Sequence, residues 1–447
     1  MGDSIVEGQT QQSNYFWLAL LLLACNLISA GLFISRVHHL AYDDVYNTLD
    51  VHNYAVKGFS RAALASHKNA PGPLGYAWMA AAVRIIGQDE LRDARIGALF
   101  SWVLIGVGIL VGARFSRCPQ LWYGALIVLL VFPHAVEAAG EVLTEGPAFF
   151  FAMLGALAWT EFVARASSGT TTLALGMLGC LFLGLSATCR QYNIALLPAA
   201  ALIAVWQLYS RSWAPGEKWR WSAGALFSLL LAALPVLLLV LAWKGITSPG
   251  IKSGASYNMA YHAAAGLNLT RPLIVALYVA FYLMPFTFPL MARLKSEFRL
   301  PSVAFAVLAG IAAGYWSSSL IQPGPLQSAL NAASKFVHSR AVLFGLLAVV
   351  AVYNLLALAF ALWQHGDTVK SSPAVMFACC VILFFVFEQF GVGGTIPFFD
   401  RYVIETAPFI GVLTFALLPN LGRVRFSVLA LLSVLSHVML WRYAFTP

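Results

Sequence analysis

The chain reads as long apolar runs separated by polar breaks. Runs fall at about 15–35, 96–113, 119–139, 146–163, 171–188, 192–209, 222–243, 272–291, 301–321, 340–363, 373–390, 402–419 and 426–443. Most approach the roughly 20 residues that a helix needs to cross a bilayer, and none alternates apolar and polar positions as a barrel strand would. Since hydrocarbon leaves no backbone group unbonded, the pattern predicts an all-α polytopic membrane protein of about thirteen helices in one domain. The breaks are unequal. The first, about 36–95, is long and holds helix-like pieces at 51–66 and 74–86, separated by Pro71-Gly72-Pro73. These are expected as amphipathic helices at the outer leaflet. Three further long breaks fall at about 244–271, 322–339 and 389–401, and loops of such length more often carry function than idle.

Composition agrees with that class. Of 447 residues, 60% are hydrophobic and only 10% charged, which is too apolar for a soluble domain. The first run lacks the basic flank of a secretory signal, residues 1–14 carrying only Asp3 and Glu7 as charges, so it is expected to be a retained span. With the N-terminus cytoplasmic, every inner loop carries Lys or Arg: Arg114 and Arg117, Arg165, Arg211 with Lys218, Arg293 with Lys295, Lys370, and Arg423 with Arg425. The same orientation places twelve of the eighteen carboxylates outside and the C-terminus outside. The net charge of +9 is spread between the runs with no basic-aromatic patch, so it reflects topology and not nucleic acid. Six cysteines are scattered through apolar stretches without metal-ligand or disulfide spacing.

Candidate chemistry gathers at the outer ends. Asp43 and Asp44 follow the first span directly; one carboxylate suits a helix N-cap, and the second is left for a general base. Glu145 precedes Gly146-Pro147 where a helix would begin, after Glu137, Glu141 and Thr144. Arg190, Gln191 and Asn193 interrupt an apolar stretch, as a polar cavity wall would, and the guanidinium fork suits phosphate or carboxylate. Arg401 and Tyr402 follow Asp400, an outer arginine against the positive-inside trend. Tyr261 with His262, and Lys335 with His338, are further outer polar groups with interfacial anchoring as the simpler reading. No P-loop, dinucleotide fingerprint, HExxH or Gly-x-Ser-x-Gly occurs, so nucleotide-driven chemistry is not expected.

The order Tyr42-Asp43-Asp44, Asn69-Ala70-Pro71-Gly72-Pro73-Leu74-Gly75-Tyr76, Leu143-Thr144-Glu145-Gly146 and Cys189-Arg190-Gln191-Tyr192-Asn193-Ile194 resembles the GT-C superfamily of polytopic glycosyltransferases. Within it, the motifs are similar to those of the dolichyl-phosphate-glucose α-1,2-glucosyltransferase, and the architecture to the aminoarabinose and protein-mannose transferases. Asp44, Glu145 and Tyr192 stand where that glucosyltransferase family is expected to have Glu, Asp and Thr. The resemblance implies transfer of a sugar from a polyprenyl phosphate, dolichyl or undecaprenyl, to a glycan, lipid or protein acceptor. It places this on the outer or lumenal face of a bacterial inner membrane or endoplasmic reticulum. Asp43 then matches the catalytic acid position, with Asp44 orienting it or the acceptor, and Arg190 and Arg401 are favoured as the site arginines. One-step inverting displacement needs a base, cationic cover for the phosphate and no obligatory metal. The rival class is a transporter or flippase, which would place ionisable groups mid-span, where this chain has almost none.

Overall fold

A computed structural model describes residues 2–41, 43–69, 72–166, 169–245, 248–249, 270–322, 324–391 and 400–445, and every regular element among them is helical. In order these are α1 (Gly2–Arg36), α2 (Asp44–Lys57), α3 (Arg61–Ala65), α4 (Pro73–Ile86), α5 (Glu90–Gly112), α6 (Pro119–Val131) and α7 (Ala135–Gly140). Then come α8 (Glu145–Arg165), α9 (Thr170–Cys189), α10 (Leu196–Ser210), α11 (Glu217–Trp243), α12 (Thr270–Thr287), α13 (Ser296–Tyr315), α14 (Ser317–Leu320) and α15 (Pro325–Val337). The series ends with α16 (Arg340–Gln364), α17 (Gly366–Ser371), α18 (Pro373–Glu388), α19 (Ala407–Leu417) and α20 (Arg423–Trp441), with a 3₁₀ segment at Asp400–Thr406. The chain is thus an all-α polytopic membrane protein.

Ten of these helical stretches, among the described residues, are long and apolar enough to cross a bilayer. The other three predicted runs form shorter helices. Run 119–139 breaks into α6 and α7 around Pro133, whose ring cannot continue a helix. Runs 373–390 and 402–419 become the 16-residue α18 and the 11-residue α19. At 1.5 Å per residue, the 13-residue α6 is only about 20 Å long, short of the roughly 30 Å hydrocarbon core. Its residues Leu121–Val131 and nearly all of α19 are buried, so protein and not lipid surrounds them. A Cβ on Gly411 would lie 2.6 Å from Ala125 Cα and Gly124 O, so α19 and α6 meet backbone to backbone. The same device pairs α8 with α9, where a Cβ on Gly179 would lie 2.6 Å from Trp159 N.

The first long break folds into α2, α3 and α4: the piece expected at 74–86 is α4, whereas the piece expected at 51–66 is split between the second half of α2, which begins earlier at Asp44, and α3. Its inner face is polar: Asp50 accepts from the Lys68 and Asn69 amides at 3.0 and 2.8 Å and lies 3.4 Å from His67. His67 in turn stacks on Trp243 at the end of α11, with ring centroids 5.4 Å apart. The outer face of α2 carries Val45, Leu49 and Val56, all exposed, the apolar face an interfacial helix needs. A Cβ on Gly72 would fall 1.9 Å from the Thr188 carbonyl oxygen, so only glycine lets the start of α4 sit on the end of α9.

Candidate active site

At one end of the bundle the polar motifs converge, although they come from distant parts of the chain. Asp44 is fully buried and bonded on three sides: Ala41 N at 3.0 Å, Val142 N at 2.7 Å and Arg95 Nη2 at 2.5 Å. Arg95, also fully buried, donates to the Val37 and His39 carbonyls as well. This ties the end of α1, the start of α2, α5 and the α7–α8 turn into one unit. Asn47, one turn on, donates to Val142 O at 2.7 Å and accepts from Tyr76 Oη at 2.8 Å, bringing in α4. The Asp44 carboxylate therefore holds the scaffold together and has no surface open to a substrate.

Asp43 stands apart from it. It occupies the N-cap position of α2 but makes no side-chain cap bond, so the capping explanation for this aspartate does not apply. Its carboxylate pairs instead with Arg401 Nη2, and its side chain keeps 23% of its surface exposed. Asp44, Glu137, Glu141, Glu145 and Glu405, its carboxylate neighbours, are all at least nine-tenths buried. Accessibility singles out Asp43.

Arg190 anchors a second knot. Its guanidinium meets Glu145 at 2.9 Å, Glu405 at 3.2 Å and the Thr144 hydroxyl at 3.2 Å, all of them buried. One cation thus faces two carboxylates. Burial first, then the Glu145 charge, push Glu405 up to about 8 against the pull of Arg190. A phosphate approaching Arg190 would have to displace one of these partners. The Tyr402 ring lies beneath both Arg190 (5.3 Å) and Arg401 (5.5 Å), linking the two knots by cation–π contact. Gly75 brings α4 against Thr144, where a Cβ would come within 2.8 Å.

Not every sequence candidate joins this cluster. Gln191 is exposed, because the 3₁₀ turn after Arg190 directs Tyr192 and Asn193 inward instead; Asn193 donates to Ser186 Oγ at 2.7 Å. Lys335 and His338 are exposed at the end of α15, and neither forms an ion pair among the described residues. Tyr261 and His262 lie outside the described residues. Conversely, Arg95 and Glu405 belong to the cluster without having been singled out. Glu405 had a signal in the sequence, four residues after Arg401 in the same outer segment. Arg95, at the start of a span, has no local pattern in the sequence that sets it apart. Arg271 and Gln389, bonded at 3.0 Å between α12 and the end of α18, extend the buried polar layer.

Among the described residues no three His, Cys, Asp or Glu side chains gather as metal ligands. A cavity of ≈ 360 Å³ opens at the opposite end of the bundle, lined by Arg117, Gln120, Glu161, Gln207, Ser372 and Phe415 among others, and shares no residue with the cluster.

No protein-family model and no curated protein sequence matches the chain. Solved structures to which it is similar include ArnT from Cupriavidus metallidurans in the apo state, at 14% identity and a TM-score of 0.38, covering 95% of this chain and 77% of that one. The S. cerevisiae protein O-mannosyltransferase Pmt1-Pmt2 complex bound to the sugar donor aligns at 15% identity and a TM-score of 0.37, over 51% of this chain. This chain spans a third of the length of that relative (33%). The Archaeoglobus fulgidus oligosaccharyltransferase tethered with an acceptor peptide follows at 12% identity and 0.32, covering 85% and 56%.

Proposed function

We propose that this protein is an integral membrane glycosyltransferase that moves a sugar from a polyprenyl phosphate to an acceptor at the outer or lumenal face. The observation that carries the reading is the convergence itself. Asp43, Gly72 to Tyr76, Thr144 to Glu145 and Arg190 are spread over about 150 residues, yet they are joined through Val142, Thr144 and the Arg190 knot at one end of the bundle. These are the segments that carry the sequence resemblance. The most exposed carboxylate of the cluster sits on an arginine at the rim, a pair for which a transferase has a use.

In this reading Asp43 is the base. An acceptor hydroxyl approaches it from the exposed side and loses its proton as oxygen attacks the anomeric carbon, while the prenyl phosphate leaves from the opposite face. Arg401 is the phosphate cation, since it is the site arginine at the rim and its present partner is Asp43. As the donor phosphate takes over the guanidinium, Asp43 is released from its ion pair, which couples donor binding to freeing of the base. Arg190, Glu145 and Glu405 set the position of the Thr144 turn and of Tyr402 and do not themselves meet the phosphate. Asp44 positions Asp43 through α2.

The test is transfer by the purified full chain, reconstituted in liposomes, from radiolabelled short-chain prenyl-phosphoryl hexoses and pentoses to a panel of glycan, lipid and peptide acceptors. Sugar transfer is the expected result. Movement of a labelled solute across the liposome without any transfer would overturn it in favour of a transporter.

A further inference from the structure

The spans α13 and α16 form a hairpin at the edge of the bundle. A Cβ on Gly310 would lie 2.7 Å from Gly345 O, and one on Gly345 2.9 Å from Gly310 O, so the two helices meet backbone to backbone. Much of their remaining surface is apolar and uncovered: Phe305, Leu308 and Ile311 on α13, and Val342 and Leu346 on α16, are all exposed. In a bilayer that surface faces lipid. Tyr315 and Trp316, both exposed, close α13 with ring centroids 5.6 Å apart, and exposed aromatics at the end of a span mark the level of the headgroups. The connection from Trp316 to Arg340 therefore lies at the membrane surface. Its longest helix is α15, which packs beside the 3₁₀ segment that carries Arg401.

Helix α15 has two apolar strips. Leu326, Leu330 and Ala333 recur at helical spacing and turn toward the bundle, with Leu330 buried. Ala329, Ala332 and Phe336 form a second strip that faces outward, and Phe336 is 85% exposed. Cations border this outward strip. Arg340 Nη1 donates to Asn331 Oδ1 at 3.1 Å, and Asn331 lies one turn before Lys335, so both cations are gathered on one side of the helix. His338 ends the helix in the left-handed region, at φ 56°, with its side chain exposed. No anion answers them. Residues 298–366 contain neither Asp nor Glu, and Lys335, His338 and Arg340 form no ion pair among the described residues. The cations that hold the fold together are paired, as Arg95 is with Asp44 and Arg190 with Glu145.

We propose that α15 is an interfacial helix that binds the headgroup of an anionic phospholipid, with Lys335 and Arg340 on the phosphate oxygens, His338 beside them and Phe336 among the acyl chains. A lipid answers both halves of this surface at once: an apolar chain covers Phe336, and a negative headgroup meets cations that the protein leaves without a counter-charge. Lipid is also the medium that already lines the exposed flanks of α13 and α16, on either side of α15 in the chain. A soluble acidic partner would satisfy the cations and leave Phe336 to water.

Native mass spectrometry of the purified full chain, titrated in micelles with phosphatidylglycerol or with phosphatidylcholine of the same acyl chains, tests this independently of any sugar transfer. The wild type is expected to retain phosphatidylglycerol in preference to phosphatidylcholine, and to lose that preference at high salt. Lys335→Gln and Arg340→Gln are each expected to weaken retention of phosphatidylglycerol about 5-fold, and Phe336→Ser to weaken retention of both lipids. Lys370→Gln, at an exposed lysine beyond the far end of α16, is expected to change neither. Equal retention of the two lipids by the wild type overturns the proposal. So does a preference for phosphatidylglycerol that survives when Lys335→Gln and Arg340→Gln are combined. Retention of a short-chain prenyl phosphate without retention of phosphatidylglycerol also overturns it, and would give the patch to the donor instead.

Discussion

Arg95→Met probes the scaffold on which Asp43 depends. Arg95 and Asp44 are both fully buried, and the guanidinium serves three acceptors: Val37 O, His39 O and the Asp44 carboxylate. Methionine fills much of the volume but leaves Asp44 as a buried charge supported only by the Ala41 and Val142 amides. Removing one partner of a buried pair costs about 3–5 kcal/mol, because the other charge remains without its counterion. Asp44→Asn, by contrast, removes the charge and keeps a side-chain oxygen for the Val142 amide. The double variant is therefore expected to be more stable than the sum of the two single losses, with a coupling of about 1–3 kcal/mol. Unfolding of all four proteins in mixed micelles, followed by tryptophan fluorescence, gives that cycle directly. Additive losses, with coupling below about 0.5 kcal/mol, would refute the reasoning that Asp44 is a structural anchor held by Arg95.

Two further outcomes follow from the packing and charge of the site. Gly72→Ala is expected to cost about 1–3 kcal/mol and to lower transfer, since the new Cβ would meet the Thr188 backbone at 1.9 Å; Gly31→Ala, with nothing within 4 Å, is the neutral control in a thermal melt. Glu405 holds its proton in the folded state up to about pH 8 but releases it in the unfolded chain near the ordinary value of about 4.3. Its share of stability is thus fully present below that lower value and is lost progressively as pH rises from there to about 8, so Glu405→Gln should flatten the fall in melting temperature across that window. An unchanged profile would show that Glu405 ionises alike in both states.

The helical class was legible because hydrocarbon imposes one rule on every span, and run length reports it. Where protein replaces lipid, that rule lapses. Runs 119–139 and 402–419 are as apolar as the others, yet α6 and α19 are short, because helices packed inside a bundle need not match bilayer thickness. The site was legible in part. Asp43, Glu145, Arg190 and Arg401 announce themselves as charges at the ends of apolar runs, and all four lie in the two linked knots. The resemblance already prefers Asp43 over Asp44 as the base, but the physical reason was not legible, since it depends on Arg95 and Val142, about 50 and 100 residues away, which bond Asp44 into the scaffold. Gln191 and Asn193 show the same limit at short range: both are polar, and only the pitch of the 3₁₀ turn decides that Asn193 faces inward.

The central claim is that Asp43 takes the acceptor's proton while a prenyl phosphate leaves. Single-turnover transfer from a radiolabelled prenyl-phosphoryl sugar, measured on wild type and Asp43→Asn in the same liposomes, tests it most directly. The account predicts that Asp43→Asn remains folded, still binds donor and loses transfer by at least about 100-fold. Transfer that survives unchanged in Asp43→Asn would contradict it.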